Sequence, residues 1–109
     1  MAQQNEIQVR QEVKNALRAA WNALKQCVDK KDQAGQVFCY KIGQAFNRVE
    51  TLPLKKLNGL LVEINEHLFL YGRQKIGSAV FDAVDKAIES TGAATFFDDN
   101  VAGEKTKTP

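Results

Sequence analysis

The chain has 109 residues, of which 44% are hydrophobic and 26% charged, with only 7 glycines and 2 prolines. This composition is typical of one ordinary globular domain and excludes a disordered or fibrous protein. No apolar run approaches the ~18 residues that cross a membrane, and residues 1–8 are polar, so we expect no secretion leader and a cytoplasmic location. The formal net charge is only +2, below that of a dedicated nucleic-acid binder, although residues 1–56 are net basic and residues 57–109 net acidic.

The first predicted helix covers residues 7–31, where apolar residues recur every three or four positions. Its core face is predicted to contain Val9, Val13, Ala16, Leu17, Ala20, Leu24 and Cys27. Glu6 falls on the same arc, so the helix is expected to begin at or just after it. Asp32 lies in the polar break that follows and is a candidate cap for the next helix.

The second predicted helix covers residues 36–52 and ends before Pro53, because the residue preceding a proline avoids helical angles. Its core face is predicted to contain Phe38, Ile42, Ala45, Phe46, Val49 and Leu52. Cys27 and Cys39 lie at equal distances from the bend near residue 33 and are expected to lie close together. We expect both thiols to be reduced in a cytoplasm, and a disulfide or redox role is the alternative.

The third predicted helix, residues 54–71, carries the clearest apolar stripe of the chain. The stripe consists of Leu54, Leu57, Leu61, Ile64, Leu68 and Tyr71. Val62, Phe69 and Leu70 fall outside it, which predicts a second apolar contact with a protein partner or with a second copy. A homodimer formed through this face would be isologous.

The fourth predicted helix covers residues 73–90, after Gly72 and before a stop at Thr91 and Gly92. Its apolar face contains Ile76, Val80, Phe81, Ala83, Val84, Ala87 and Ile88. Four amphipathic helices with short connections predict an all-α, single-domain antiparallel four-helix bundle over residues 1–92. Residues 93–109 are predicted to form a partly disordered C-terminal tail.

The sharpest surface feature combines basic residues with an aromatic residue on one arc of the first helix. In the predicted bundle, further cations from the second and third helices join its basic end. The predicted partner-binding set is Arg10, Lys14, Arg18, Trp21, Lys25, Arg48, Lys55 and Lys56. Such a set suits an acidic protein patch or phosphates, and solvated cations lying over apolar surface are the simpler explanation. The tail motif Phe96, Phe97, Asp98 and Asp99 is expected to dock at this basic end.

The sequence offers few candidates for catalytic or metal-binding residues. His67 is the single histidine, and Glu63 lies one helical turn before it. No nucleophile, pocket or third ligand accompanies the pair, so we interpret His67 as an ordinary boundary residue. The sequence therefore predicts no catalytic, cofactor or metal site and a non-enzymatic protein.

The predicted function is a small protein-interaction module such as an adaptor, inhibitor, immunity-type protein or regulatory subunit. Its expected partner is a protein with an acidic or apolar patch. The alternative is a nucleic-acid-binding regulator of transcription or replication, in which Lys55, Lys56 and Asn58 would begin a recognition helix. That helix is among the most apolar in the chain and its preceding turn lacks glycine, which weighs against the alternative.

Overall fold

Five α-helices make up the part of the chain that the computed structural model describes, residues 6–94. The helices are α1 (Glu6–Cys27), α2 (Gln33–Asn47), α3 (Leu54–Tyr71), α4 (Arg73–Ile76) and α5 (Ser78–Ala93). No β-strand occurs within this range, and the prediction of an all-α fold is confirmed. None of these helices is long and apolar enough to cross a membrane.

The break between α1 and α2 is set by two aspartates. Asp29 forms a turn in which its side chain accepts a hydrogen bond from the Lys31 N–H at 3.1 Å, so α1 ends earlier than predicted. Asp32 is the N-cap of α2, as predicted, because its Oδ1 accepts the Gly35 N–H at 3.0 Å. The cap places the first residue of α2 at Gln33, three positions before the predicted start.

The end of α2 was predicted too late in the chain. The helix stops at Asn47, and Arg48 donates its backbone N–H to the carbonyl of Ala45. A turn follows in which the Thr51 N–H donates to the Arg48 carbonyl at 3.0 Å. Val49 is nevertheless fully buried, so the apolar spacing continues past the point where the helix has ended.

The predicted fourth helix is divided into α4 and α5 by glycine. Gly72 and Gly77 have φ values of +91° and +98°, a backbone region that glycine adopts without steric cost. They flank the single turn of α4, and the Gly77 N–H closes that turn on the Arg73 carbonyl at 2.7 Å. The prediction of one continuous helix over residues 73–90 was therefore wrong. Helix α5 also extends to Ala93, beyond the predicted end.

The core consists largely of the residues that the apolar spacing predicted. The fully buried large side chains are Phe81, Leu17, Leu24, Ile42, Leu54, Leu57, Leu61, Ile64, Leu68, Val9, Val13 and Val49. Seven residues that were also predicted to face the core are only partly buried against it: Cys27, Phe46, Leu52, Tyr71, Val80, Ala83 and Ile88. Two polar residues of α5, Ser90 and Thr91, are buried as well.

Contacts between helix ends fix the directions of the long helices. Ser90 of α5 donates a hydrogen bond to Glu12 of α1, so the end of α5 lies beside the start of α1. Tyr71 at the end of α3 donates to Asp32 at the start of α2 at 3.1 Å. Helices α1, α3 and α5 pack closely together, and α2 packs mainly against α1. The regular four-helix bundle therefore stays a prediction.

Candidate functional site

An open groove of about 620 Å³ lies between α1 and α2. The residues that line it are Leu17, Arg18, Trp21, Cys39, Tyr40, Ile42, Gly43, Gln44, Phe46 and Asn47. Gly43 keeps the groove open because it has no side chain. A Cβ added there would lie 3.9 Å from Trp21 Nε1, an ordinary van der Waals distance.

Three aromatic side chains give the groove its apolar character. Trp21 and Phe46 are partly buried against the core, and Tyr40 is 68% exposed. The Tyr40 hydroxyl accepts a hydrogen bond from Gln44 Nε2 at 3.2 Å, which holds the phenol at the surface of α2. Tryptophan and tyrosine combine large apolar area with a polar tip, so they are common anchors in protein interfaces.

Two of the predicted cations lie over these rings. The Arg18 guanidinium carbon is 5.5 Å from the centre of the Phe46 ring, and Lys25 Nζ is 4.5 Å from the centre of the Trp21 ring. Both distances are typical of cation–π contacts. Among residues 6–94, no aspartate or glutamate lines the groove, and the two charged side chains that lie over its rings are positive. We call this combination of groove and cations the aromatic groove.

Arg10 has a structural role that the sequence did not reveal. Its Nη1 donates to the carbonyls of Val49 and Leu52 at 2.5 and 2.6 Å, and its side chain is only 12% exposed. Arg10 therefore binds the connection that follows α2, and Glu6 neutralises its charge at 2.7 Å. Four hydrogen bonds thus hold the guanidinium inside the molecule, and its part in partner binding stays a prediction.

The remaining predicted cations differ in their exposure. Lys14 pairs with Glu50 at 2.6 Å, so its charge is balanced by a neighbour. Arg48, Lys55 and Lys56 are exposed. The two lysines lie in the first turn of α3, which has no side-chain cap. The acidic partners of Arg10 and Lys14 lower the net positive charge of the predicted basic end.

Asn58 contributes to the packing of α3 on α5. Its Nδ2 donates to the Ile88 carbonyl at 2.9 Å and to Thr91 Oγ1 at 3.0 Å. Both amide hydrogens therefore have partners within the fold. This contact weighs against Asn58 as a residue that reads base edges.

The outer face of α3 carries the apolar residues that fell outside its core stripe. Val62 is 38%, Phe69 53% and Leu70 77% exposed. The Phe69 ring lies 4.8 Å from the ring of buried Phe81, so part of Phe69 packs on α5. Leu70 is the most exposed of the three. None of them lines the aromatic groove, so the two apolar surfaces are distinct.

His67 has an apolar environment. Its ring stacks on Phe38 with ring centres 4.0 Å apart and meets the edge of Tyr71 at 5.6 Å. Nε2 is buried and makes no hydrogen bond within residues 6–94. Glu63 forms an ion pair with Lys41 at 3.4 Å instead. The contacts of the His67 ring are therefore aromatic.

The two cysteines are free thiols. Cys27 Sγ lies 3.8 Å from the Lys75 carbonyl, and Cys39 is buried. Burial raises the pKa of the Cys39 thiol; nearby Lys25 opposes this rise and Asp32 adds to it. A protonated thiol is a weak nucleophile. Within residues 6–94, no group of three or more histidine, cysteine, aspartate or glutamate side chains is placed to hold a metal ion.

Sequence reasoning identified one wall of the aromatic groove and missed the other. The arc that contains Arg18, Trp21 and Lys25 was predicted from α1 alone. Tyr40 and Gly43 of α2 were not predicted, since their role depends on how α2 lies against α1. The tail motif Phe96, Phe97, Asp98 and Asp99 lies outside the described residues.

Comparisons of the sequence with protein-family models, with curated proteins and with solved structures found no match.

Proposed function

We propose that this protein is a small non-enzymatic interaction module that binds a protein partner through the aromatic groove. Trp21, which lines that groove beneath a cation, is the observation that carries the proposal. Anchors of this kind account for most of the binding energy in many protein interfaces. An adaptor, an inhibitor, an immunity-type protein or a regulatory subunit would use such a surface.

The proposal includes a scaffold and a location. We infer an antiparallel four-helix bundle, in which α4 and α5 together take the place of the fourth helix, in a cytoplasmic protein. The partner's contact segment is expected to carry an apolar anchor for the space beside Trp21 and carboxylates for Arg18 and Lys25. The exposed face of α3 is a second contact surface, for a partner or for a second copy of the chain.

A nucleic-acid-binding role has less support because two cations of the predicted set bind acidic groups and carbonyls of the protein itself. Salt dependence separates the two functions. A contact dominated by phosphates loses about 10³- to 10⁵-fold in affinity between 50 and 200 mM salt when roughly six to ten phosphates are bound. A contact led by apolar burial in the groove changes far less.

Two matched glycine variants test the proposed surface. Gly43→Gln places a side chain in the aromatic groove, whereas Gly59→Gln adds the same side chain on α3, where no atom lies within 4 Å of the added Cβ. Both changes replace glycine inside a helix, so each is expected to raise helix stability by up to about 1 kcal/mol. Any loss of binding therefore cannot be attributed to unfolding.

The assay is capture of partners from the native cytosol by the tagged protein, with and without nuclease. We expect capture of a protein that Gly43→Gln abolishes, that Gly59→Gln preserves and that nuclease does not release. Capture that survives Gly43→Gln would contradict the groove as the binding site. Loss of capture on nuclease treatment would favour the nucleic-acid alternative.

A further inference from the structure

The aromatic groove is complementary to a ligand that combines aromatic rings with carboxylates. Its floor is formed by Trp21, Tyr40 and Phe46, and the charges beside it are the cations of Arg18 and Lys25. The chain itself carries a segment of this chemistry in residues 96–99, where two phenylalanines precede two aspartates. The phenylalanine rings match the aromatic floor of the groove, and the adjacent aspartates are opposite in charge to Arg18 and Lys25.

The position of α5 shows where this segment leaves the described fold. Ala94 follows α5 directly and is buried. One turn earlier, Ser90 donates a hydrogen bond to Glu12 of α1. The described chain therefore ends on the flank of α1 that faces α5, about one helical turn beyond Ser90.

Trp21 of the same molecule lies beyond the reach of Phe96 and Phe97. Trp21 is nine positions after Glu12, which corresponds to about 14 Å along the helix axis and about 180° around it. Reaching the opposite flank adds roughly a helix diameter, about 10 Å. The three residues from Ala94 to Phe97 span at most about 11 Å when fully extended. This limit on distance does not apply to the tail of a second copy of the chain.

We propose that the aromatic groove binds residues 96–99 of a second copy of this chain, so that the protein associates head to tail. This inference rests on the proposed function in taking the groove as a docking site. The contact is heterologous, because the groove of one copy meets the tail of the next, and it continues to further copies unless a ring closes. A bound tail occupies the surface that a partner would use, so self-association competes with partner binding.

The experiment uses the full-length protein and its single tryptophan. Because Trp21 lies in the groove, its emission reports occupancy, and sedimentation velocity over the same dilution series reports association. We expect both to change together with concentration. Gly43→Gln and the double change Phe96→Ser with Phe97→Ser should each weaken association at least tenfold, and Gly59→Gln should leave it unchanged.

Mixing the two defective variants gives the most specific readout. Gly43→Gln keeps an intact tail, and the double phenylalanine variant keeps an intact groove. Neither should associate alone, but an equimolar mixture should form a heterodimer that does not grow further. Only a contact between two different surfaces produces this result.

Three outcomes would overturn the inference. One is a protein that stays monomeric at all concentrations. Another is an emission change caused by the double phenylalanine variant without any change in association, which would indicate docking within one molecule. The third is loss of association in Leu70→Asp with retention in Gly43→Gln, which would place the contact on α3. If self-association fails but Gly43→Gln still abolishes partner capture, the proposed function stands and this inference alone falls.

Discussion

Replacing Arg10 by alanine should destabilise the fold strongly, although arginine on a helix surface is usually dispensable. Its guanidinium donates to two carbonyls in the connection after α2. Hydrogen bonds from a charged donor contribute about 1.5–3 kcal/mol each, which gives roughly 3–6 kcal/mol for the pair. Water will reach part of the vacated space, so we expect the lower end of that range, about 3 kcal/mol.

Lys14→Ala is the matched control because it removes a neighbouring cation of the same helix. The Lys14 and Glu50 side chains are 28% and 69% exposed, and exposed ion pairs contribute at most about 1 kcal/mol. Urea unfolding followed by circular dichroism measures both losses. With an m value of about 1–2 kcal/mol per M, Arg10→Ala should lower the midpoint by about 1.5–3 M. Equal losses in the two variants would refute the structural role of Arg10.

Gly35→Ala should cost about 1–3 kcal/mol through overpacking, because a Cβ at Gly35 would lie 2.7 Å from Asp32 Oδ2 and 2.9 Å from the Tyr71 hydroxyl. Gly59→Ala, with no atom near its Cβ, should instead stabilise by up to about 1 kcal/mol, and urea titrations of both variants check the opposite signs. Burial and the hydrogen bond to Asp32 raise the pKa of Tyr71, so the folded state holds this proton more tightly than the unfolded state. The stability that this proton contributes is complete below about pH 10 and is lost as pH rises through the raised pKa of Tyr71. Tyr71→Phe should therefore reduce the fall in melting temperature at alkaline pH, and an unchanged fall would contradict this assignment.

The bounds of α3 were predictable because strong local signals mark both ends. Pro53 precedes its first residue and Gly72 follows its last, and the helix extends between them as predicted. The division at Gly77 was not predictable, since a single glycine within a helical pattern is often tolerated and its φ depends on packing. The end of α2 was missed because Val49 remains buried after the backbone has turned.

The part of the candidate site that lies on one helix was predictable, and the part that depends on packing between helices was not. Trp21 and its neighbouring cations share one arc of α1, which helical spacing reveals. Gly43 opens the space in front of Trp21 from another helix, and no property of α1 predicts that placement. The hydrogen bonds of Arg10 were not predictable because its acceptors, the carbonyls of Val49 and Leu52, lie 39 and 42 positions away in the chain.

The polar contacts of α5 specify its alignment with its neighbours. Asn58 bonds two groups of α5, and buried Thr91 is one of them. Sliding α5 by one turn, about 5.4 Å, would separate the Asn58 amide from both of its acceptors on α5, at a cost of about 1–3 kcal/mol for an unsatisfied group. Leucines and valines pack comparably in several alignments, so these few polar atoms determine which one the folding chain selects.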